Sequence, residues 1–184
     1  MKKLFLPIVA LMSLVMFSCG SSTANVEVDP GYNDLVVTID GEEVAGMEYG
    51  YGTIIELEKG AHDVVATDEA GDVFFEGSVD VTGDGIMNLT GQRYVLWTDI
   101  YADNYYAYSS NLDIAEHDLI EDVVVEADLT FFEGNFIAED WDYDLDTEWP
   151  EEVEIYGDYT TKSKIYREED FVWEAYDWGL VIAD

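Results

Sequence analysis

The chain of 184 residues carries 42 acidic side chains against 7 basic ones, a formal charge of −35. Nucleic acid is excluded as a partner, because phosphate recognition requires clustered Lys and Arg, so a partner drawn in electrostatically is basic or cationic. The acidity alone would suit a disordered chain, but 48% apolar and 14% aromatic residues supply a core.

Lys2 and Lys3 are followed by an apolar run from Leu4 to Phe17, in "MKKLFLPIVALMSLVMFSC". The run is too short to span a bilayer, which takes about 20 residues. It resembles the signal peptide of a bacterial lipoprotein: Met16-Phe17-Ser18-Cys19 stands in the lipobox place, with Met16 where that family usually has Leu. The resemblance implies removal of residues 1–18, acylation of Cys19 and anchorage in the cell envelope, foremost at the outer membrane. Ordinary secretion, with cleavage after Ala24, is the alternative.

Cys19 is the only cysteine, so once acylated it leaves no thiol for a disulfide or for nucleophilic catalysis. Without Lys2 and Lys3, five bases face 42 acids, a charge of −37. Anionic headgroups repel such a surface, which makes the N-terminal lipid the membrane contact. Residues 19–32 read as a flexible polar tether.

From residue 33 to 92 short strands alternate with turn dipeptides, as in a small β-sandwich. Leu35 to Ile39 precedes Asp40-Gly41, a hairpin signal, because tight turns demand positive φ. Strands follow at Thr53 to Glu58, after a turn at Lys59-Gly60 at His62 to Asp68, and at Val73 to Val81. Thr82 to Gly85 then turns the chain into "IMNLT".

The order "TIDGEEV … GTIIELEKGAHDVVATDEAG", carried by Asp40, Gly41, Leu57, Gly60 and His62, resembles a PEGA-type domain over about a third of the chain. It departs from that pattern between Glu43 and Gly52. The resemblance implies a small envelope-associated β module of structural or binding type and no activity.

Residues 93–184 read as a second β-rich unit. Strands are expected at Arg93 to Tyr101, Val123 to Ala127, Asp128 to Phe132, Phe136 to Leu145 and Lys162 to Arg167. A short helix is expected within Leu112 to Asp122, behind Asn111 as a cap. A last helix should start at Glu168, turn Phe171, Val172, Ala175 and Tyr176 inward and end at Gly179. The whole is mainly β, with one or two short helices.

In "EDWDYDLDTEWPEE" (Glu139 to Glu152) acids alternate with apolar residues, and Asp140, Asp142, Asp144 and Asp146 are the candidate metal ligands. Asp140-x-Asp142-x-Asp144 with Glu151 in the twelfth place has EF-hand spacing. The sixth place, which must be Gly for the loop to bend back, is Leu145. A strand explains the alternation better, with Trp141, Tyr143 and Leu145 inward and the acids outward. Alternate carboxylates on a strand stand about 6.6 Å apart, so the run to Glu148 covers roughly 26 Å, beyond one ion's reach. At most two neighbours could share a weakly held Ca²⁺. The favoured arrangement is a solvated face beside Lys162 and Lys164.

Tyr105, Tyr106 and Tyr108 are candidate ligand residues, either a sugar-stacking platform or core filling; the tryptophans read as core. With 42 acids, a carboxylate pair at glycosidase separation carries no information. His62 and His117 lack a triad arrangement, and no phosphate loop or HExxH stretch occurs. The sequence therefore reads as a non-enzymatic, lipid-anchored envelope module without a cofactor. The alternatives are an acidic inhibitor or immunity-type protein for a basic partner, and a binder of glycan or Ca²⁺.

Overall fold

The computed structural model describes residues 22–47, 49–102, 116–120, 123–150, 152–157 and 159–181, with residues 102, 116–120 and 123–126 described by their backbone. The protein is mainly β: twelve strands and one helix among these residues, arranged in three four-stranded sheets. No helix among them is long and apolar enough to cross a membrane.

The first sheet contains β1 (Thr23–Asp29), β4 (Thr53–Glu58), β7 (Gly85–Asn88) and β11 (Phe136–Ala138), in the order β11-β7-β1-β4. β1 runs antiparallel to β4 and parallel to β7. Residues 23–29, expected within a flexible tether, are instead a central strand. Ala24, Val26 and Val28 alternate into the core, and three buried apolar side chains on one face outweigh the polar residues between them.

The second sheet contains β2 (Val36–Ile39), β3 (Glu42–Glu43), β5 (Gly60–Thr67) and β6 (Val73–Val81), in the order β3-β2-β5-β6. Asp40 and Gly41 have φ of 52° and 83°, as the tight turn between β2 and β3 requires. The turn at Lys59-Gly60 is a corner that carries the chain from the first sheet to the second. The inner faces of these sheets meet in one core: Val26, Val28 and Met87 against Val37, Val64 and Val79.

The third sheet contains β8 (Tyr94–Ala102), β9 (Glu116–Ile120), β10 (Val123–Phe132) and β12 (Tyr159–Arg167), in the order β12-β8-β10-β9, all antiparallel. The two strands expected at Val123 to Ala127 and Asp128 to Phe132 are one. Its first half pairs with β9 and its second half with β8. Residues 116–120, expected in a helix, form a strand because pairing along the valine-rich start of β10 overrides weak helical spacing.

Helix α1 (Glu168–Asp177) follows β12 directly and buries Phe171, Val172 and Ala175 against Val95, Trp97 and Tyr166. Tyr176, expected inward, is 54% exposed, and Trp173, expected in the core, is 75% exposed. Gly179, with φ of 70°, ends the helix in a Schellman motif: its N–H donates to Tyr176 O, and Leu180 N–H to Ala175 O.

The other face of the third sheet packs on the outer face of the first. Ile86 and Ile137 meet Tyr94, Ile165, Trp141 and Leu145 there. β11, from the C-terminal half, is hydrogen-bonded into the first sheet, so no boundary at 92/93 separates the backbone networks. The cover is complete over β7 and stops short of β4, where Ile54 is 65% exposed. The candidate site lies along that rim.

Candidate functional site

The acidic run beyond β11 is not a strand. It crosses β12 as an irregular strap, held where Asp142 N and Tyr143 N donate to Ser163 O (3.0 Å each) and Ile165 N donates to Tyr143 O (3.1 Å). One parallel bridge, Tyr143 with Lys164, is its only ladder contact among the described residues. Side chains compete with the ladder: Asp142 Oδ2 accepts Ser163 N–H (2.9 Å), and Asp144 Oδ1 accepts Trp141 Nε1–H (2.8 Å). The inward and outward choice matches expectation even so. Trp141 and Leu145 are buried, Tyr143 is half-buried, and Asp140, Asp142, Asp144 and Asp146 are exposed.

These four aspartates do not converge. No group of three or more His, Cys, Asp or Glu is placed to hold a metal ion among the described residues. Asp142 instead pairs with Lys162 Nζ at 2.7 Å. Burial alone would raise its carboxyl, but the Lys162 and Ser163 bonds more than offset that and lower it. Lys164, expected beside Lys162 on the same face, is buried with its ammonium 4.5 Å from the Tyr166 ring centre, and burial lowers its pKa. Cys19, Tyr105, Tyr106 and Tyr108 lie outside the described residues.

Where the strap leaves β11 it faces the turn between β6 and β7, and Glu139 N–H donates to Asp84 O at 2.8 Å. Between them is an open cleft of about 650 Å³, walled by Asp84, Glu139, Asp140, Trp141, Asp142 and Ser163. Glu139 and Trp141 also line an adjoining pocket of about 50 Å³ that reaches inward to Glu27 and Asp144.

Glu27 is the residue the sequence reading passed over. It lies on β1, on the face opposite Val26 and Val28, and its cross-strand neighbours are Ile54 on β4 and Ile86 on β7. It is 8% exposed, and no hydrogen-bond donor reaches its carboxylate among the described residues. Gly52 leaves room for it: a Cβ there would stand 2.6 Å from Glu27 Oε1. Burial, then the charges of Asp29, Asp146 and Asp144, push the Glu27 carboxyl up to about 7, with Arg167 opposing. Burial, with Asp144 and Asp84 adding to it, raises Glu139 as well.

Two residues further along β1, Asp29 is fully buried and fully partnered. It accepts from Arg167 Nη2 (2.9 Å), Tyr94 Oη (2.5 Å), Gln92 Nε2 (2.6 Å) and Gly31 N (2.9 Å). Arg167 Nη1 also donates to Asp170 Oδ2 at 3.3 Å, and Tyr32 Oη donates to the same carboxylate. The two buried acids of β1 differ: Asp29 accepts from four residues, and Glu27 opens on a pocket. A second concavity, about 430 Å³, is formed by Tyr32, Tyr49 and Phe74 beside Asp34, Asp68 and Glu69.

Compared with known proteins, the chain matches no family model, no curated protein and no solved structure.

Proposed function

We propose that the protein is a non-enzymatic, lipid-anchored module of the bacterial cell envelope whose acidic surface holds a basic partner. The observation that carries this reading is the placement of its few cations. Of the bases beyond Lys3, Arg93 pairs with Glu168, Lys162 with Asp142 and Arg167 with Asp29 and Asp170; Lys164 is buried, and Lys59 is exposed. Apart from the exposed Lys59 these bases are engaged inside or at seams, so the outward field is mostly that of uncompensated carboxylates, which steers and selects a cationic partner.

A binding role rather than catalysis is supported by His62, whose ring nitrogens both face acceptors, Asp40 Oδ2 and Glu58 O, at 2.7 Å. That histidine closes the turn at Asp40-Gly41 and ties down the PEGA-like hairpin. The lipobox-like segment ending at Cys19 supports the anchor.

Affinity capture with the full-length, membrane-anchored protein tests the reading. A basic envelope protein should be retained at low ionic strength and released as the Debye length falls from about 30 Å at 0.01 M to about 3 Å at 1 M salt. Capture indifferent to salt overturns it. Cys19→Ala should move the protein from the membrane fraction to the soluble one; retention in the membrane contradicts the anchor.

A further inference from the structure

We infer that the pocket beneath Trp141 receives one cationic side chain of the basic partner, a lysine ammonium, with the Glu27 carboxylate as its buried counter-ion. The inference rests on the reading that the acidic face takes a basic partner, and it names the point of engagement.

Three observations converge on it. Glu27 is 8% exposed and has no side-chain or backbone donor among the described residues, yet its carboxylate oxygens are not sealed off as Thr90 Oγ1 is, so a donor entering the pocket can reach them. The pocket and the open cleft of about 650 Å³ share Glu139 and Trp141 as walls, which places the pocket within reach of a side chain from a peptide lying in the cleft. The pocket, of about 50 Å³, has room for a small head group such as an ammonium, and among the described residues no three acids are placed to hold a metal ion there. The Trp141 wall offers the lysine stem an apolar surface.

The acids around Glu27 favour a cation. Asp29 shares its strand, while Glu139, Asp144 and Asp146 belong to the strap; from β4 and β7 its neighbours are the apolar Ile54 and Ile86. Arg167, on β12, is the nearby cation, and its guanidinium is bound to Asp29 and Asp170. An entering ammonium holds Glu27 ionised, so affinity should rise as pH passes upward through the range in which the empty site loses its proton.

The test is calorimetric titration of the full-length protein with tetralysine at low salt, for wild type, Glu27→Gln, Ile54→Trp and Glu76→Gln. Glu76 is exposed on β6 and serves as the control for loss of one charge. Glu27→Gln should weaken binding about tenfold or more, as loss of a charged hydrogen bond does, and should remove the rise in affinity between pH 6 and 8. Ile54→Trp, which narrows the pocket mouth and keeps every charge, should weaken it similarly. Glu76→Gln should change it less than about twofold. If Glu27→Gln and Ile54→Trp bind like Glu76→Gln, the pocket is overturned while the basic-partner reading stands. If tetralysine fails to bind wild type, both fall.

Discussion

Arg167 and Asp29 lie 138 positions apart in the chain and meet in a buried ion pair, with Nη2 2.9 Å from Oδ1 and Nε 3.1 Å from Oδ2. The contact joins the last residue of β12 to the last residue of β1, and thus the third sheet to the first. Removing one partner leaves a buried charge without its counter-ion. Asp29→Ala or Arg167→Ala should therefore lower unfolding free energy by about 3–5 kcal/mol, whereas replacing both by apolar residues should lower it much less. Urea midpoints of the three variants check this, and equal losses in all three would contradict it.

Gly85 begins β7 where that strand passes β11, and a Cβ there would stand 2.1 Å from the backbone oxygen of Ile137. A carbonyl in a hydrogen-bonded strand cannot step aside as a flexible side chain can. Gly85→Ala should cost about 1–3 kcal/mol, the range of overpacked sites. Gly83→Ala, two residues earlier with open space around it, should be nearly neutral by the same urea measurement.

His62 and Asp40 make a pair whose pH dependence has two limits. The Glu58 carbonyl, and after it Asp40, raise the His62 pKa against the opposing effect of burial, while the His62 bond lowers that of Asp40. The histidine's contribution to stability is complete below its unfolded value of 6.5 and is lost as pH rises through the folded one. The aspartate's is present above 3.8 and is lost as pH falls through its lowered value. Imidazole NMR should give a His62 midpoint above 6.5 that falls in Asp40→Asn. A midpoint unmoved by that substitution would contradict the pairing.

Glu27 has a raised carboxyl pKa, so its share of stability is complete below about 4.5, the unfolded value, and is lost as pH rises through about 7. Glu27→Gln lacks this loss. At pH 8 the variant should be more stable than wild type by an amount on the order of 3 kcal/mol, and near pH 5 the difference should nearly vanish. Urea titrations at the two pH values check it.

Turn chemistry and helix periodicity made much of the fold legible in the sequence. Asp40-Gly41 marks a turn that only positive φ can close, and Gly179 marks the end of a helix whose Phe171, Val172 and Ala175 recur at helical spacing. Both signals are local. β1 was illegible because its place depends on partners far along the chain, including a parallel one that no hairpin signal announces. Its alternation of Ala24, Val26 and Val28 spans only three apolar residues and follows directly on the leader-like segment.

The acidic strap divides in the same way. Its alternation told which side chains face inward, while the side-chain bonds of Asp142 and Asp144 decided that it is no strand. Glu27 could not be singled out among 42 acids, because its burial comes from Ile54, Ile86 and Trp141, which the fold alone brings to it.

Among the described residues no counter-ion of its own reaches the buried Glu27 carboxylate, and side-chain carboxyl NMR reads this directly. Titrated in the full-length protein, Glu27 should show a midpoint near 7 that moves down when tetralysine is added. A midpoint at the ordinary value of about 4.5, unchanged by the peptide, would mean that the carboxylate is already solvated or partnered and would contradict the account.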